Sequence, residues 1–88
     1  MSLRVLVVGQ GYVGMPVAIA AAKCSFLVTG YDTDLERIRK IANGNSPVED
    51  VSDIQLQEAL SSGKYSAVSE IIEDLKFDIF LICVPTPL

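Results

Sequence analysis

The stretch LRVLVVGQGYVG, residues 3–14, decides how the chain folds. Residues 3–8 form a short run rich in valine and leucine that ends at a glycine, which predicts a buried strand. Residues 12–23 carry small and apolar side chains at helical spacing, so a helix is predicted there. Gly9, Gly11 and Gly14 therefore lie between the end of a strand and the start of a helix.

The spacing of these glycines, G-x-G-x-x-G, is typical of a turn that binds the phosphates of a dinucleotide. Gly9 allows the tight turn, Gly11 lets a pyrophosphate approach the backbone, and Gly14 lets the helix pack close to the strand. The N–H groups at the helix start, around Tyr12 and Val13, would face the phosphates. The alternative is a tight strand-to-helix turn that binds no ligand.

Asp32 is the second candidate for cofactor binding. It ends a predicted strand at residues 26–31 and lies 18 residues after Gly14, where an acidic residue accepts hydrogen bonds from the adenine-ribose hydroxyls. A carboxylate repels a 2′-phosphate and no arginine adjoins it, so we expect NAD rather than NADP. Arg37 would reach the adenosine end. Alternatively, Asp32 only leads into the next helix, and Arg37 is a solvated charge on that helix.

The rest of the chain alternates helices and strands. Residues 33–36 and 52–55 match capping boxes, with Thr33 and Ser52 as the caps, and they predict helices ending near residues 42 and 63. The other predicted elements are a short strand at 66–68, a helical turn at 70–75 and an apolar strand at 78–84. This order predicts an α/β fold: a Rossmann-type parallel sheet with helices on both faces, truncated to about the first mononucleotide-binding half plus the fourth strand.

Composition excludes several other classes of function. The net charge is −4 and no stretch is rich in lysine or arginine, so a nucleic-acid partner is not expected. No apolar run reaches the about 18 to 20 residues that a membrane helix needs, so no membrane partner is expected either. Without histidine, and with its two cysteines far apart, the chain has no metal-ligand pattern. Cys24 and Cys83 are interpreted as free, buried, structural thiols in a reducing cytoplasm.

Four segments together form a more specific pattern. They read Gly9-Gln10-Gly11-Tyr12-Val13-Gly14-Met15-Pro16, Gly30-Tyr31-Asp32, Gly44-Asn45-Ser46-Pro47-Val48-Glu49 and Val84-Pro85-Thr86-Pro87. In this pattern the chain resembles the UDP-glucose and GDP-mannose dehydrogenases, whose N-terminal NAD-binding domain shows these motifs in the same order. The resemblance covers essentially all 88 residues.

The resemblance implies a cytoplasmic, NAD-dependent enzyme that oxidises the C6 alcohol of a UDP-sugar to a carboxylate for polysaccharide biosynthesis. It places Val84, Pro85 and Thr86 against the cofactor, although a proline-rich exit from a buried strand is the alternative. The segment 47–53 is similar to the branch that acts on UDP-N-acetylated hexosamines. The sugar would be bound mainly by other domains, and the family usually forms dimers. The family's nucleophilic cysteine belongs to a later segment, so no catalytic residue is expected in residues 1–88.

Two positions depart from the family pattern. Gln10 stands where an apolar residue is common and is expected to matter little, whereas Ser25 replaces a usual helix-ending glycine and is expected to strain that turn. The apolar last strand has no closing helix after it, so residues 1–88 are interpreted as part of a longer enzyme, with a tendency to self-associate. The alternatives are the front of a hydroxyacid dehydrogenase and a non-catalytic NAD-sensing regulatory module.

Overall fold

Four parallel strands form one sheet in the computed structural model, which describes residues 3–71 and 76–83. The strands are β1 (Arg4–Val8), β2 (Leu27–Tyr31), β3 (Tyr65–Val68) and β4 (Ile79–Ile82). They lie in the order β3-β2-β1-β4, which is the order of the first four strands of a Rossmann sheet. The predicted parallel sheet is therefore confirmed, and β1 and β4 flank the point at which the strand order reverses.

Three helices pack on one face of this sheet: α1 (Gly14–Lys23), α2 (Leu35–Ala42) and α3 (Asp53–Ser61). The register aligns Val5 of β1 with Val28 of β2, and Val28 with Tyr65 of β3, so these side chains point to the same face. They share one buried core with residues of all three helices: Met15, Ala18, Ile19, Ala22, Ile41, Leu56 and Ala59. Within residues 3–71 and 76–83 no helix lies on the opposite face, so helices on that second face stay a prediction.

At the C-terminal end of α1 the structure agrees with the prediction for Ser25 but not with the prediction for Cys24. Ser25 adopts φ 71°, the left-handed conformation that glycine adopts at lower cost, so the expected strain is confirmed. Cys24, beside it, is exposed. The expectation that both thiols are buried was therefore wrong for Cys24, because it follows the last helical turn and does not point into the core. Cys83 is half-buried and packs against the core.

The two predicted capping boxes have different outcomes. Ser52 and Gln55 exchange both hydrogen bonds, of 3.1 and 2.9 Å, at the start of α3. At α2 the predicted cap was wrong, because Asp34, not Thr33, accepts the hydrogen bond from the Arg37 backbone N–H. The reason is that Asp32 already binds the Asp34 backbone N–H, which moves the helix start one residue along the chain. The turn predicted at 70–75 and the end of the last strand lie largely outside the described residues.

Strand β4 lies at an edge of the sheet, as the sequence predicts. Ile79 and Leu81 pack against the core, whereas Phe80 and Ile82 on the opposite face are 60% and 66% exposed. An exposed edge with apolar side chains favours pairing with another chain. Within the described part of the chain, no helix has the length and apolar character needed to cross a membrane.

We predict that Ile82→Ser lowers the self-association of this chain without lowering its stability by more than about 1 kcal/mol, since the side chain is mostly exposed. Sedimentation velocity at several concentrations measures the association. Ile54→Ser is the matched control, because Ile54 is 67% exposed but lies on a helix. An equal effect of both substitutions, or a wild-type chain that stays monomeric at every concentration, would contradict the prediction.

Candidate functional site

The glycine turn after β1 has the geometry that its sequence predicts. Gly9 adopts φ 96°, and its N–H donates a 2.7 Å hydrogen bond to the Tyr31 carbonyl. A Cβ on Gly14 would overlap the carbonyl oxygen of Gly9, so only glycine lets α1 begin this close to β1. A Cβ on Gly11 would meet nothing nearer than 3.9 Å, which leaves the backbone there open to a ligand.

The start of α1 lacks the side-chain cap that the other two helices have. Asp34 caps α2 and Ser52 caps α3, whereas Val13 at the start of α1 makes no such hydrogen bond and the first turn contains no acidic residue. The N–H groups at a helix start carry a partial positive charge and need acceptors. The N-terminus of α1 is therefore suited to receive an anionic group such as a phosphate.

Asp32, directly after β2, is held beside the glycine turn by three hydrogen bonds. Its Oδ2 accepts from the Gln10 backbone N–H at 2.8 Å and from Arg37 Nη1 at 2.9 Å. Its Oδ1 accepts from the Asp34 backbone N–H at 2.9 Å. The structure thus brings together the two features, the turn and the carboxylate, that the sequence analysis singled out separately.

Arg37 lies closer to Asp32 than the sequence analysis expected. The premise that no arginine adjoins Asp32 was wrong, because α2 carries the Arg37 guanidinium back over the glycine turn to form an ion pair. Burial by itself would raise the pKa of Asp32. The backbone amides of Gln10 and Asp34, together with the Arg37 guanidinium, outweigh it and hold the pKa of Asp32 below its ordinary value. Asp32 is therefore an ionised acceptor at neutral pH.

A cleft of about 760 Å³ joins these features at the carboxyl edge of the sheet. It is lined by Gly9, Gly11, Tyr12, Val13, Asp32, Thr33, Arg37, Ile82 and Cys83. Its size is typical of a site for a small molecule or cofactor. Tyr12 and Val13 are largely exposed and line it, whereas Gly14, buried at the start of α1, does not. The predicted Val84, Pro85 and Thr86 lie outside the described residues.

Gln10 has a larger structural role than its position in the sequence predicted. It was expected to matter little, yet it is fully buried. Its Nε2 donates to the carbonyls of Val7 and Gly9 at 3.1 and 2.8 Å, and its Oε1 accepts from the Tyr65 hydroxyl at 2.7 Å. A lone glutamine at a variable position of the motif gives no signal of such contacts, because the strand that carries Tyr65 is distant in the sequence.

Four features together define a dinucleotide-binding domain of the Rossmann type. They are the strand order, the glycine turn, the uncapped start of α1 and the acidic residue after β2. Comparison with protein families matches residues 3–88 to the "UDP-glucose/GDP-mannose dehydrogenase family, NAD binding domain". The chain belongs to this family, as the resemblance predicted, and its cofactor is NAD.

Individual relatives support this assignment. The chain is 44% identical over 88 residues to UDP-N-acetyl-D-mannosamine dehydrogenase of Pyrococcus horikoshii, covering 98% of this chain and 21% of the relative. It is 33% identical over 87 residues to UDP-N-acetyl-D-glucosamine 6-dehydrogenase of Salmonella typhi, covering 98% and 19%. A solved UDP-D-ManNAc dehydrogenase from Pyrococcus horikoshii superposes with a TM-score of 0.88 at 43% identity, over 98% of this chain and 21% of that one. The chain spans about a fifth of the length of these relatives.

We predict that Arg37→Gln raises the pKa of Asp32, because the substitution removes one of the interactions that favour the ionised carboxylate. Titration of the carboxyl carbon by ¹³C NMR measures this. Because the folded-state pKa is lowered, the ion pair stabilises the fold above about pH 4. The stability difference between wild type and variant should disappear as the pH falls through that folded-state pKa.

Arg39→Gln is the control, since Arg39 pairs with the exposed Glu36 at 2.8 Å and does not contact Asp32. It should leave the titration of Asp32 unchanged. An Asp32 titration that is the same in wild type and Arg37→Gln would show that the ion pair does not form in solution.

Proposed function

We propose that the cleft holds NAD with its pyrophosphate over Gly11 and the start of α1 and its adenosine ribose on Asp32. The observation that carries the proposal is the 2.8 Å hydrogen bond from the Gln10 backbone N–H to Asp32, because it holds a carboxylate suited to ribose hydroxyls beside a turn suited to phosphates. The open backbone at Gly11 and the uncapped start of α1 fit a pyrophosphate. Tyr12 and Val13 would border it, and Val84, Pro85 and Thr86 are proposed to contact the cofactor by resemblance alone.

The acceptor capacity of Asp32 gives Arg37 a specific role in this site. An ionised carboxylate offers about four acceptor positions, and three of those on Asp32 are already used by the protein. Two ribose hydroxyls need two positions, so Arg37 must release or share Oδ2 when the cofactor binds. Arg37 Nη1 lies 3.9 Å from the position that a Cβ on Gly11 would occupy. From there the guanidinium can contact the adenosine end or the phosphates.

For the whole protein we propose oxidation of the C6 alcohol of a UDP-sugar to a carboxylate, in the service of polysaccharide synthesis. This oxidation removes two hydrides, so two molecules of NAD would accept them in turn, and water would supply the second carboxylate oxygen. The support is membership of the family and the names of its relatives, two of which act on UDP-N-acetylated hexosamines. That substrate class agrees with the interpretation of residues 47–53. We also propose a cytoplasmic homo-oligomer in which other domains bind most of the sugar nucleotide.

We predict that the chain binds NAD, and NADP more weakly, in a calorimetric titration with each cofactor. Asp32→Ala should weaken NAD binding by about 10- to 100-fold, since it removes charged acceptors for the ribose hydroxyls. The substitution should also reduce the ratio of NAD affinity to NADP affinity, because it removes the negative charge and frees Arg37 to pair with a 2′-phosphate.

Asp53→Ala provides the comparison, because Asp53 is an exposed carboxylate in the first turn of α3, remote from the cleft residues. It should leave the affinity for both cofactors unchanged. NADP binding as tight as NAD binding in the wild type would show that Asp32 does not contact the ribose.

We predict no dehydrogenase turnover by residues 1–88 with UDP-sugars and NAD. Cys24 lies at the far end of α1, and Cys83, although it lines the cleft, packs against the core. Formation of NADH, followed at 340 nm with a panel of UDP-sugars, is the measurement. Turnover that is lost in Cys83→Ser would overturn the assignment of this cysteine as structural.

A further inference from the structure

Gln10 and Tyr65 form a buried polar link beneath the candidate cofactor site. Both side chains are almost completely excluded from solvent, and the Tyr65 hydroxyl donates to Gln10 Oε1 at 2.7 Å. The two residues are 55 positions apart in sequence and belong to the first turn and to the third strand. Buried polar groups are costly unless they are fully paired, so a satisfied link of this kind holds its partners in one arrangement.

The link passes directly across β2. A Cβ on Gly30 would overlap the Gln10 carboxamide, so the absence of a side chain on Gly30 is what lets Gln10 reach Tyr65. Gly30 and Asp32 are separated by a single residue, and Asp32 binds the Gln10 backbone. The Gln10 side chain therefore lies against Gly30 of β2, and the Gln10 main chain binds Asp32, the residue that follows β2.

The same carboxamide also fixes the conformation of the glycine turn. Both of its N–H donors are used, one on the Val7 carbonyl near the end of β1 and one on the Gly9 carbonyl within the turn. The Gly9 carbonyl is also the group against which Gly14 and the start of α1 pack. Any rotation of the Gly9–Gln10 peptide would break a buried hydrogen bond and displace the helix start that faces the cleft.

We propose that Gln10 and Tyr65 are positioning residues for NAD: they hold the glycine turn and Asp32 at the separation that one dinucleotide spans. The inference rests on the proposed cofactor site and goes beyond it, because neither side chain lines the cleft. Burial raises the pKa of the Tyr65 hydroxyl far above its usual range, so the donor stays protonated throughout the pH range of the experiments. Loss of this link would therefore lower the affinity for NAD by displacing the glycine turn and Asp32.

The test is calorimetric NAD binding by Gln10→Met, Tyr65→Phe and the double variant, each measured well below its melting temperature. Methionine keeps the size of glutamine without its hydrogen bonds, and phenylalanine removes only the hydroxyl. We expect each single variant to lose about tenfold in affinity and the double variant to lose little more than the worse single one, because the two residues act as a unit.

Ile41→Val is the matched control for stability alone. Ile41 is fully buried on α2, belongs to the same core, and makes none of the hydrogen bonds of the turn. It should lower the melting temperature and leave the affinity for NAD unchanged. Tyr65→Phe should also shift the backbone amide NMR signals of Gly9 and Gly11, which lie on another part of the chain, whereas Ile41→Val should not.

The outcomes separate this inference from the proposed function. A wild-type chain that does not bind NAD overturns both. A wild-type chain that binds NAD, with Tyr65→Phe binding equally well and with unshifted Gly9 and Gly11 signals, leaves the proposed site intact and overturns the positioning role. Additive losses in the double variant would also overturn it, because the two side chains would then act independently.

Discussion

The hydrogen bond from the Gln10 backbone N–H to Asp32 joins the ends of the first two strands, and the geometry of the cleft depends on it. Parallel pairing alone brings β1 and β2 side by side, but it does not fix the path of the chain beyond either strand. This one contact places the glycine turn and the Asp32 carboxylate at a set separation. Because the amide is the donor, the hydrogen bond also favours the ionised form of Asp32 and helps to lower its pKa. The same interaction therefore fixes the position of the carboxylate and stabilises its charge.

A second constraint comes from the close approach of α1 to β1. Gly14 packs on the Gly9 carbonyl, and this brings the uncapped helix start to the edge of the sheet between β1 and β4. Ligands of parallel α/β sheets bind at this position, where the strand order reverses. The core beneath, on which all three helices pack, supports the site from one side of the sheet. The exposed Phe80 and Ile82 show how apolar the other side is.

Local patterns in the sequence predicted most of the elements and the outline of the site. Strand and helix periodicity predicted β1, β2 and the short β3, and the Ser52 capping box predicted the start of α3, because each of these depends on neighbours in the chain. The cap of α2 was missed by one residue. Thr33 and Asp34 are both good caps locally, and the choice between them was made by the contact of Asp32 with the Asp34 backbone.

The sequence by itself determined the fold class, the glycine turn and the acidic residue, since the backbone requirements of a strand–turn–helix unit are local and leave a readable spacing. Only the tertiary structure decided that Arg37 pairs with Asp32 and that Gln10 turns inward to Tyr65 across Gly30. Those contacts join residues on different elements. Their existence depends on strand register and on the space that a missing Cβ leaves, and neither quantity can be read from residues adjacent in the chain.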